Sequence, residues 1–205
     1  VGRTGLTEAQ AKAEGFNPIS VITVVDDKAH YYAGASTFTI KMIADKDTLK
    51  LLGVQVIGSG AIDKVIDIAV TGMMCKATLA DLADMDLAYA PPFSTAIHPF
   101  EHTLNVLKNK IRGTFDTFTP AEYAAGEAEG YKVIDACLQP SIEGAPYVEL
   151  TTVEGPIDGL GLDEKILLVC NKGKRAYLLQ NRMKFYGYTN TKVLEGGISF
   201  NEVEV

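Results

Sequence analysis

Polar and hydrophobic positions alternate in short runs along the first part of the chain. The run 18–27 is rich in β-branched residues, and the run 36–45 alternates apolar residues such as Phe38 and Ile40 with polar neighbours. Alternation with a period of two predicts strands that have one buried and one solvated face. A third apolar run at 50–58 follows a turn-rich segment, so we expect the last two strands to form an antiparallel hairpin.

Apolar residues at helical spacing follow these strands. The segment 58–74 is predicted to form an amphipathic helix whose apolar face holds Ile62, Val65, Ile66, Ala69, Val70 and Met73.

A capping box that starts at Thr7 predicts a short helix before the first strand. Further helices are predicted at 78–85 and 101–113. Hairpinned strands that come before helices favour an α+β domain with an antiparallel sheet over residues 1–112.

The pattern changes in the second part of the chain. A connector over 113–130 contains a helix start made by Thr119, Pro120 and Glu122. Two short, almost continuously apolar strands, an amphipathic helix and a last strand follow, at 131–137, 165–170, 175–188 and 191–197. Continuous apolar strands are typical of a parallel sheet that is covered on both faces. We therefore expect a small α/β domain with a parallel sheet over 117–205.

Composition narrows the classes of partner. The chain has 205 residues, a formal net charge of -7 and a pI near 5.0, which argue against nucleic acid or an anionic membrane surface as the main partner. No apolar run approaches the roughly 20 residues that span a bilayer. The three cysteines are far apart and lack zinc-ligand spacing, so we expect a reducing cytoplasm and no metal. The chain begins at Val1, and we expect it to be a piece of a longer protein.

A Gly-Ser-Gly stretch at 58–60 opens the predicted helical segment. It mimics a dinucleotide-binding fingerprint. Asp63 stands where the third glycine of that fingerprint would be. An acid in the first helical turn would repel the pyrophosphate that a helix N-terminus attracts. We therefore predict a structural turn and no nucleotide site here.

Aromatic residues and one histidine collect near turns and prolines. They are Tyr31, Tyr32, Tyr89, Phe93 and His98. Tyrosine and histidine at such positions can face a cleft and exchange protons near neutral pH. The alternative is packing in a core or an interface, which composition alone favours.

Cys170 ends a predicted parallel strand, and the next helix begins about five residues later. The residues of this candidate loop are Asn171, Lys172, Gly173, Lys174 and Arg175. Their amide groups and the helix N-terminus would favour a nucleophilic thiolate, and the three cations add positive charge. The glycine permits backbone angles that a closed loop requires.

The spacing within this loop indicates its ligand. Four residues separate Cys170 from Arg175, whereas tyrosine phosphatases place five residues between these groups to hold a tetrahedral phosphate. A shorter ring suits the single outer sulfur atom of a persulfide. A buried structural cysteine before a basic helix start remains the alternative, and a phosphatase-like enzyme is disfavoured by the loop length.

Both halves resemble known families. "VCNKGKRAY", "RMKFYGYTNTKVLEGGIS" and "VIDA" resemble the active-site loop, the ending and an early strand of a rhodanese domain, here shortened and covering 117–205. "HYYAGA", "LLGVQVIGSGAIDKVIDIAV" and "LAYAPPFS" make residues 1–112 similar to the C-terminal dimerisation domain of pyridine nucleotide-disulfide oxidoreductases. The resemblance is to the branch of coenzyme A-disulfide reductases, NADH oxidases and polysulfide reductases.

The resemblance implies an oxidoreductase whose FAD and NAD(P)H bind in N-terminal domains that precede this chain. It implies a homodimer in which Tyr31, or its neighbour Tyr32, and Tyr89 lie near the partner's redox cysteine. His98 is similar to an acid/base histidine of related enzymes. Cys170 would carry sulfur as a persulfide, with Arg175 in its catalytic loop and coenzyme A or another small thiol, persulfide or polysulfide as substrate. The fragment alone would be at most a sulfurtransferase.

The second half also departs from the rhodanese pattern. Ala136 and Cys137 follow Asp135 where the family has Asp-Val-Arg, and Pro140, Ser141 and Ile142 stand where it has Gly-His-Ile. A second hypothesis follows, in which the chain is a non-catalytic dimerisation and docking module with a degenerate rhodanese domain. The natural substrate (coenzyme A disulfide, persulfide, polysulfide or oxygen) and the choice of NADH or NADPH stay open.

Overall fold

The computed structural model describes all 205 residues and divides into two compact units. The first unit spans Val1–Ile111 and the second spans Arg112–Val205. Each unit has its own four-stranded sheet and its own helices.

The first unit is an antiparallel sheet with four helices. Its strands, in the spatial order β1-β4-β3-β2, are β1 (Gly2–Gly5), β2 (Pro18–Asp26), β3 (Thr37–Asp45) and β4 (Leu51–Gly58). Its helices are α1 (Glu8–Ala13), α2 (Ile62–Met74), α3 (Leu79–Ala83) and α4 (Pro99–Ile111). The predicted α+β architecture and the β3–β4 hairpin are confirmed.

The alternation of β3 sets the core of this unit. Phe38, Ile40 and Met42 are buried, and their polar neighbours along the strand are more exposed. Helix α4 packs against β2 and β3, and α2 packs against β1 and β4. The predicted apolar face of α2 is only partly buried, because Val65 is fully covered whereas Val70 is 39% exposed.

Strand β1 is absent from the sequence prediction. It is four residues long and contains two glycines, so neither alternation nor β-propensity marks it. Its last residue, Gly5, has a φ of +67°, and the opposite Gly53 leaves room for the chain to cross close to β4. Pairing with β4, rather than its own composition, makes this segment a strand.

The Gly-Ser-Gly segment at 58–60 is a packing feature. A Cβ on Gly58 would lie 2.6 Å from the ring of Phe38 and 2.8 Å from the carbonyl oxygen of Thr37. The Ser36 hydroxyl donates to the carbonyl oxygen of Ser59 at 2.6 Å. Close strand packing therefore accounts for Gly58, and the bond to the Ser59 backbone fixes the turn before α2.

The second unit is a parallel sheet with helices. Its strands, in the order β5-β8-β7-β6, are β5 (Thr117–Phe118), β6 (Lys132–Asp135), β7 (Ile166–Val169) and β8 (Thr191–Leu194). Its helices are α5 (Pro120–Ala124) and α6 (Lys174–Phe185), with two 3-10 turns at Leu150–Thr152 and Gly197–Ser199. The predicted α/β class and parallel sheet are confirmed, while the two-residue β5 was not predicted.

All four residues of β7 are buried, as a central parallel strand requires. Leu167 and Val169 belong to a cluster with Phe118, Val133 and Leu194. Helix α6 packs on β7 and β8 and buries Leu179 and Met183.

A buried glutamine fixes α6 to the sheet. The Gln180 side-chain amide nitrogen donates to the carbonyl oxygens of Asp116 at 2.8 Å and Thr191 at 2.9 Å. The amide oxygen of Gln180 accepts from the backbone nitrogen of Asp116 at 3.3 Å. These bonds join the helix to the start of β8 and to the segment before β5, so the helix start beside Cys170 has a defined position.

None of the helices is long and apolar enough to cross a membrane.

Candidate functional site

Cys170 lies directly after β7, at the carboxyl edge of the parallel sheet, and is 3% exposed. Its Sγ accepts hydrogen bonds from the backbone nitrogens of Gly173 at 3.2 Å and Ala176 at 3.4 Å. Gly173 is the N-cap of α6 and has a φ of +93°, a backbone conformation that favours glycine. The loop therefore directs two amides and the N-terminus of α6 at one sulfur atom.

The loop differs in detail from the sequence prediction. Among the amides from Asn171 to Arg175, that of Gly173 donates to the sulfur, and the second donor, Ala176, lies one residue beyond the predicted set. The side chains of Asn171 and Lys174 are exposed, and Lys172 is half-buried. Backbone groups, more than side-chain cations, surround the thiol.

A turn after β8 holds the loop from outside. The backbone nitrogen of Ile198 donates to the Cys170 carbonyl at 3.1 Å, and that of Ser199 donates to the Asn171 carbonyl at 2.9 Å. A Cβ on Gly197 would overlap the Cys170 carbonyl oxygen and lie 2.7 Å from that of Asn171. The two carbonyls are thus bonded outside the loop. No pattern in the sequence predicted this contact.

Arg175 is tied to neighbouring segments of the second unit. Its Nε donates to the Ala136 carbonyl at 3.2 Å, and its Nη2 lies 2.9 Å from Oε1 of Glu149. The Tyr147 hydroxyl donates to the other carboxylate oxygen, Oε2, of Glu149 at 2.7 Å. These bonds fix the guanidinium beside the loop.

Glu149 is a residue of the candidate site that the sequence did not predict. Hydrogen bonds from the Thr151 backbone, the Tyr147 hydroxyl and the Arg175 guanidinium lower the pKa of Glu149 to about 2. The pair with Arg175 therefore stays ionised across the ordinary pH range. An isolated glutamate in a loop carries no spacing signal, so only the tertiary contact identifies it.

Asp135 organises the segment that departs from the rhodanese pattern. It is fully buried, and its carboxylate accepts from the backbone nitrogens of Cys137 at 2.8 Å, Ser141 at 2.6 Å and Ile142 at 3.0 Å. Burial opposes the charge, but the bonds from Ser141 and Cys137 outweigh it and hold the pKa of Asp135 below its usual range. The altered segment is therefore an ordered loop.

The aromatic candidates of the first unit point outward. Tyr31 is 74% exposed, Tyr89 55% and Phe93 80%, while Tyr32 is half-buried with its ring 5.0 Å from that of Tyr31. The alternative prediction, that these rings pack in a core, is therefore wrong within this chain for Tyr31, Tyr89 and Phe93. An interface with another chain remains consistent with them.

The turn that carries Tyr31 is closed at its base by Asp27. The Asp27 backbone nitrogen donates to the Ser36 carbonyl at 3.0 Å, and the Ser36 nitrogen donates to the Asp27 carboxylate at 2.7 Å. The turn thus presents its tyrosines from a fixed base.

His98 caps helix α4. It is 6% exposed, its Nδ1 accepts from the backbone nitrogen of Phe100 at 3.2 Å, and its own backbone nitrogen donates to Glu101 at 3.3 Å. Burial, and secondarily the positive charge of Lys64, lower the pKa of His98 to about 4. The imidazole is therefore uncharged near neutral pH.

Family comparisons agree with both folds. Residues 1–99 match the family described as pyridine nucleotide-disulphide oxidoreductase, dimerisation domain, and residues 103–199 match the rhodanese-like domain. The first match lies within the first unit, and the second covers most of the second unit. The resemblance predicted from the sequence is confirmed for both halves.

Three relatives match either nearly the whole chain or about half of it. The NAD(P)H coenzyme A polysulfide/persulfide reductase of Pyrococcus horikoshii is 39% identical over 108 residues, 53% of this chain and 24% of the relative. The solved NAD-dependent persulfide reductase from A. fulgidus is 30% identical with a TM-score of 0.86, covering 97% of this chain and 36% of that one. The solved structure of reduced Bacillus anthracis CoADR-RHD is 29% identical with a TM-score of 0.84, and the match covers 96% of this chain and 36% of that one.

The chain thus spans between 24% and 36% of the length of these relatives. Its glycine-rich segment does not fit the pyrophosphate of FAD or NAD(P)H. The preceding strand β4 is paired antiparallel, the carbonyl of Ser59 is bonded to Ser36, and Asp63 occupies the first turn of α2.

The lowered pKa of His98 predicts a pH-dependent stability of the first unit. Between about pH 6.5, the ordinary histidine pKa, and pH 4, the unfolded chain binds a proton that the folded chain does not. We expect the thermal midpoint to decline through this window as the pH falls. His98→Asn keeps a capping acceptor but cannot titrate, so its decline should be weaker.

The exposed His30 provides the matched control, because His30→Asn should retain the full decline. Midpoints measured by circular dichroism at several pH values check this. Parallel curves for His98→Asn and the parent would contradict the assignment.

Gly197→Ala should destabilise the second unit by about 1–3 kcal/mol, because the added methyl group overlaps the Cys170 peptide. Gly161→Ala is the control, since its Cβ would meet Glu164 at an ordinary 3.6 Å. Denaturant unfolding measures both variants, and equal stability would exclude the turn as a support of the loop.

Proposed function

We propose that the chain is part of an FAD- and NAD(P)H-dependent reductase of disulfide, persulfide or polysulfide substrates, in which Cys170 carries a sulfane sulfur. The observation that carries this proposal is the pair of backbone amides, from Gly173 and Ala176, that donate to the buried Sγ at the start of α6. Backbone donors aimed at sulfur stabilise a thiolate and a persulfide anion alike. The printed names of the relatives support the same chemistry.

The proposed transfer is a thiol exchange at sulfur. The Cys170 thiolate attacks the outer sulfur of a donor persulfide or polysulfide, and the bond from that sulfur to the donor thiolate breaks. A new Cys170 sulfur–sulfur bond forms, and the donor leaves with the electron pair. The reverse attack by an acceptor thiolate, such as that of coenzyme A, passes the sulfur on.

The dimensions of the loop favour sulfur over a larger group. Four residues separate Cys170 from Arg175, and the guanidinium is already bonded to Ala136 and Glu149. A tetrahedral phosphate would need more donors around it than the two amides that converge on Sγ. The 3% exposure of Cys170 also favours a thin, extended donor.

The first unit is proposed to form a homodimer and to complete the reductase site of the partner chain through Tyr31 and Tyr89. Their exposure, together with that of Phe93, supports this role because aromatic residues are enriched in protein interfaces. FAD and NAD(P)H would be held by other domains of the longer protein.

A second candidate function is a non-catalytic dimerisation and docking module. The replacement of the rhodanese Asp-Val-Arg by Asp135, Ala136 and Cys137 favours it. The ordered carboxylate of Asp135 favours the sulfur carrier instead, since the altered segment still has a fixed structure beside Arg175.

Cys170→Ser should abolish thiosulfate:cyanide sulfurtransferase activity of the 205-residue chain, because the accepting sulfur is removed. Thiocyanate formation measures the activity. Cys75→Ser alters an exposed cysteine in the other unit and should retain the parent rate.

Equal background rates for the parent chain and Cys170→Ser would remove the sulfur-carrier proposal and leave the docking module. Loss of activity in Cys75→Ser alone would assign the chemistry to a different residue.

Phe93→Asp should weaken self-association of the chain at least about tenfold, because it replaces an exposed aromatic ring of the proposed interface with a charge. Phe185→Asp is the control, since this ring is 83% exposed but lies in the second unit. Sedimentation equilibrium measures both. A parent chain that stays monomeric at high concentration would count against the homodimer.

A further inference from the structure

Glu149 places a negative charge directly against the arginine that follows the Cys170 loop. Its Oε1 lies 2.9 Å from Nη2 of Arg175 and also accepts from the Thr151 backbone nitrogen at 3.1 Å. Its Oε2 accepts from the Tyr147 hydroxyl at 2.7 Å. Because both oxygens are bonded, the carboxylate has a fixed position beside the guanidinium.

The segment that carries Glu149 extends the parallel sheet beyond β6. Asp135, the last residue of β6, forms a parallel bridge with Tyr147, and the Val148 nitrogen donates to the Asp135 carbonyl at 2.9 Å. Ligands of open parallel sheets bind outside the carboxyl ends of the strands, and Cys170 leaves β7 at this end. Glu149 therefore belongs to the same edge of the sheet as the candidate loop.

A cavity of about 370 Å³ borders this carboxylate. It is lined by Tyr147, Val148, Glu149 and residues 152–157. A cavity of this size suits a small organic molecule. Its lining contains a second carboxylate, that of Glu154, and neither lysine nor arginine. The cavity therefore offers room to the organic part of a donor and disfavours an anion.

An anion that approaches the loop meets an ion pair rather than a free cation. The attraction of a single charge falls with distance, and that of a close pair of opposite charges falls faster, because the two contributions cancel. Of the other loop cations, Lys174 is exposed to screening by salt and Lys172 is half-buried. The pKa of Glu149, about 2, keeps the compensation of Arg175 in place at ordinary pH, so only a substitution removes it.

We propose that Glu149 determines the donor specificity of the Cys170 site: by compensating Arg175, it selects persulfides of organic thiols over the inorganic dianion thiosulfate. This inference rests on the proposed function, because it concerns the donor from which Cys170 takes its sulfur. Glu149 acts through Arg175 and is a positioning residue.

Both donors undergo the same transfer. The Cys170 thiolate attacks the sulfane sulfur, and a new sulfur–sulfur bond forms at Cys170. In thiosulfate the old sulfur–sulfur bond breaks and sulfite leaves with the electron pair, whereas an organic persulfide releases its thiolate in the same way. The donors differ in charge, since thiosulfate carries two negative charges and an organic persulfide at most one. Compensation of a cation therefore weakens the binding of thiosulfate more, and thiosulfate is the poorer donor.

Glu149→Gln tests this role, because its amide oxygen still accepts from Arg175 while the negative charge is removed. The bond from Nε of Arg175 to the Ala136 carbonyl holds the guanidinium in both variants. All chains carry Cys75→Ser, which removes the exposed thiol. Each reduced 205-residue chain is incubated with increasing sodium thiosulfate or with increasing persulfide of 2-mercaptoethanol. Intact-mass spectrometry follows the gain of about 32 Da for one sulfur.

We expect the half-saturating concentration of thiosulfate to fall about tenfold in Glu149→Gln and that of the persulfide about threefold, because the effect grows with the charge of the donor. The limiting rate of loading should stay within about twofold of the parent rate, since the amides of Gly173 and Ala176 still face Sγ. A merely structural role of Glu149 would instead lower the limiting rate with both donors.

Glu154→Gln is the matched control. It removes the other carboxylate of the same cavity, and this side chain is exposed, so the half-saturating concentration of thiosulfate should change less than about twofold. If circular dichroism shows that Glu149→Gln does not fold, the parent chain tests the proposal by itself. At a compensated site, the half-saturating concentration of thiosulfate should change less than about threefold between about 20 mM and 500 mM sodium chloride.

The outcomes separate this inference from the proposed function. An unchanged thiosulfate concentration in Glu149→Gln, an equal change with both donors, or an equal change in Glu154→Gln overturns the specificity role and leaves the carrier intact. A steep salt dependence of the parent chain also overturns it. A parent chain that takes up no sulfur from either donor would instead contradict the carrier on which the inference rests.

Discussion

The geometry of the candidate site depends on the contact between the turn 197–199 and the peptide of Cys170. Gly197 has no side chain, so two amides of the turn reach the carbonyls of Cys170 and Asn171. With those carbonyls bonded outside the loop, the amides of Gly173 and Ala176 are free to face the sulfur. A strand end, a helix start and a distant glycine together create the environment of one atom.

The sequence alone predicted the architecture of both units, because their long elements have strong local patterns. The alternation of β3, the apolar run of β7 and the helix start at Thr119 all correspond to observed elements. Strands β1 and β5 were not predicted, because they have no strong local pattern. They are four and two residues long, and only pairing with a neighbouring strand makes them part of a sheet.

The site was predictable to the extent that its parts are contiguous. Cys170, Gly173 and the start of α6 lie within one short segment, and spacing alone placed them together. Glu149 and the turn after β8 come from other segments. Their roles arise from distances in space, which a single sequence does not encode in any local pattern. His98 is a further case. The sequence suggested an acid/base role for it, and the structure adds contacts with Phe100 and Glu101 by which it caps α4.

The buried amide of Gln180 has a consequence for how the loop exchanges with solvent. Its three hydrogen bonds connect α6 to β8 and to the segment before β5, so α6 cannot fray independently of the sheet. Gly173 is the N-cap of that helix, and Ala176 lies in its first turn. Their protons would therefore exchange through cooperative opening of the parallel sheet rather than through local breathing of a surface loop. The two amides that donate to Sγ then share the lifetime of the folded domain.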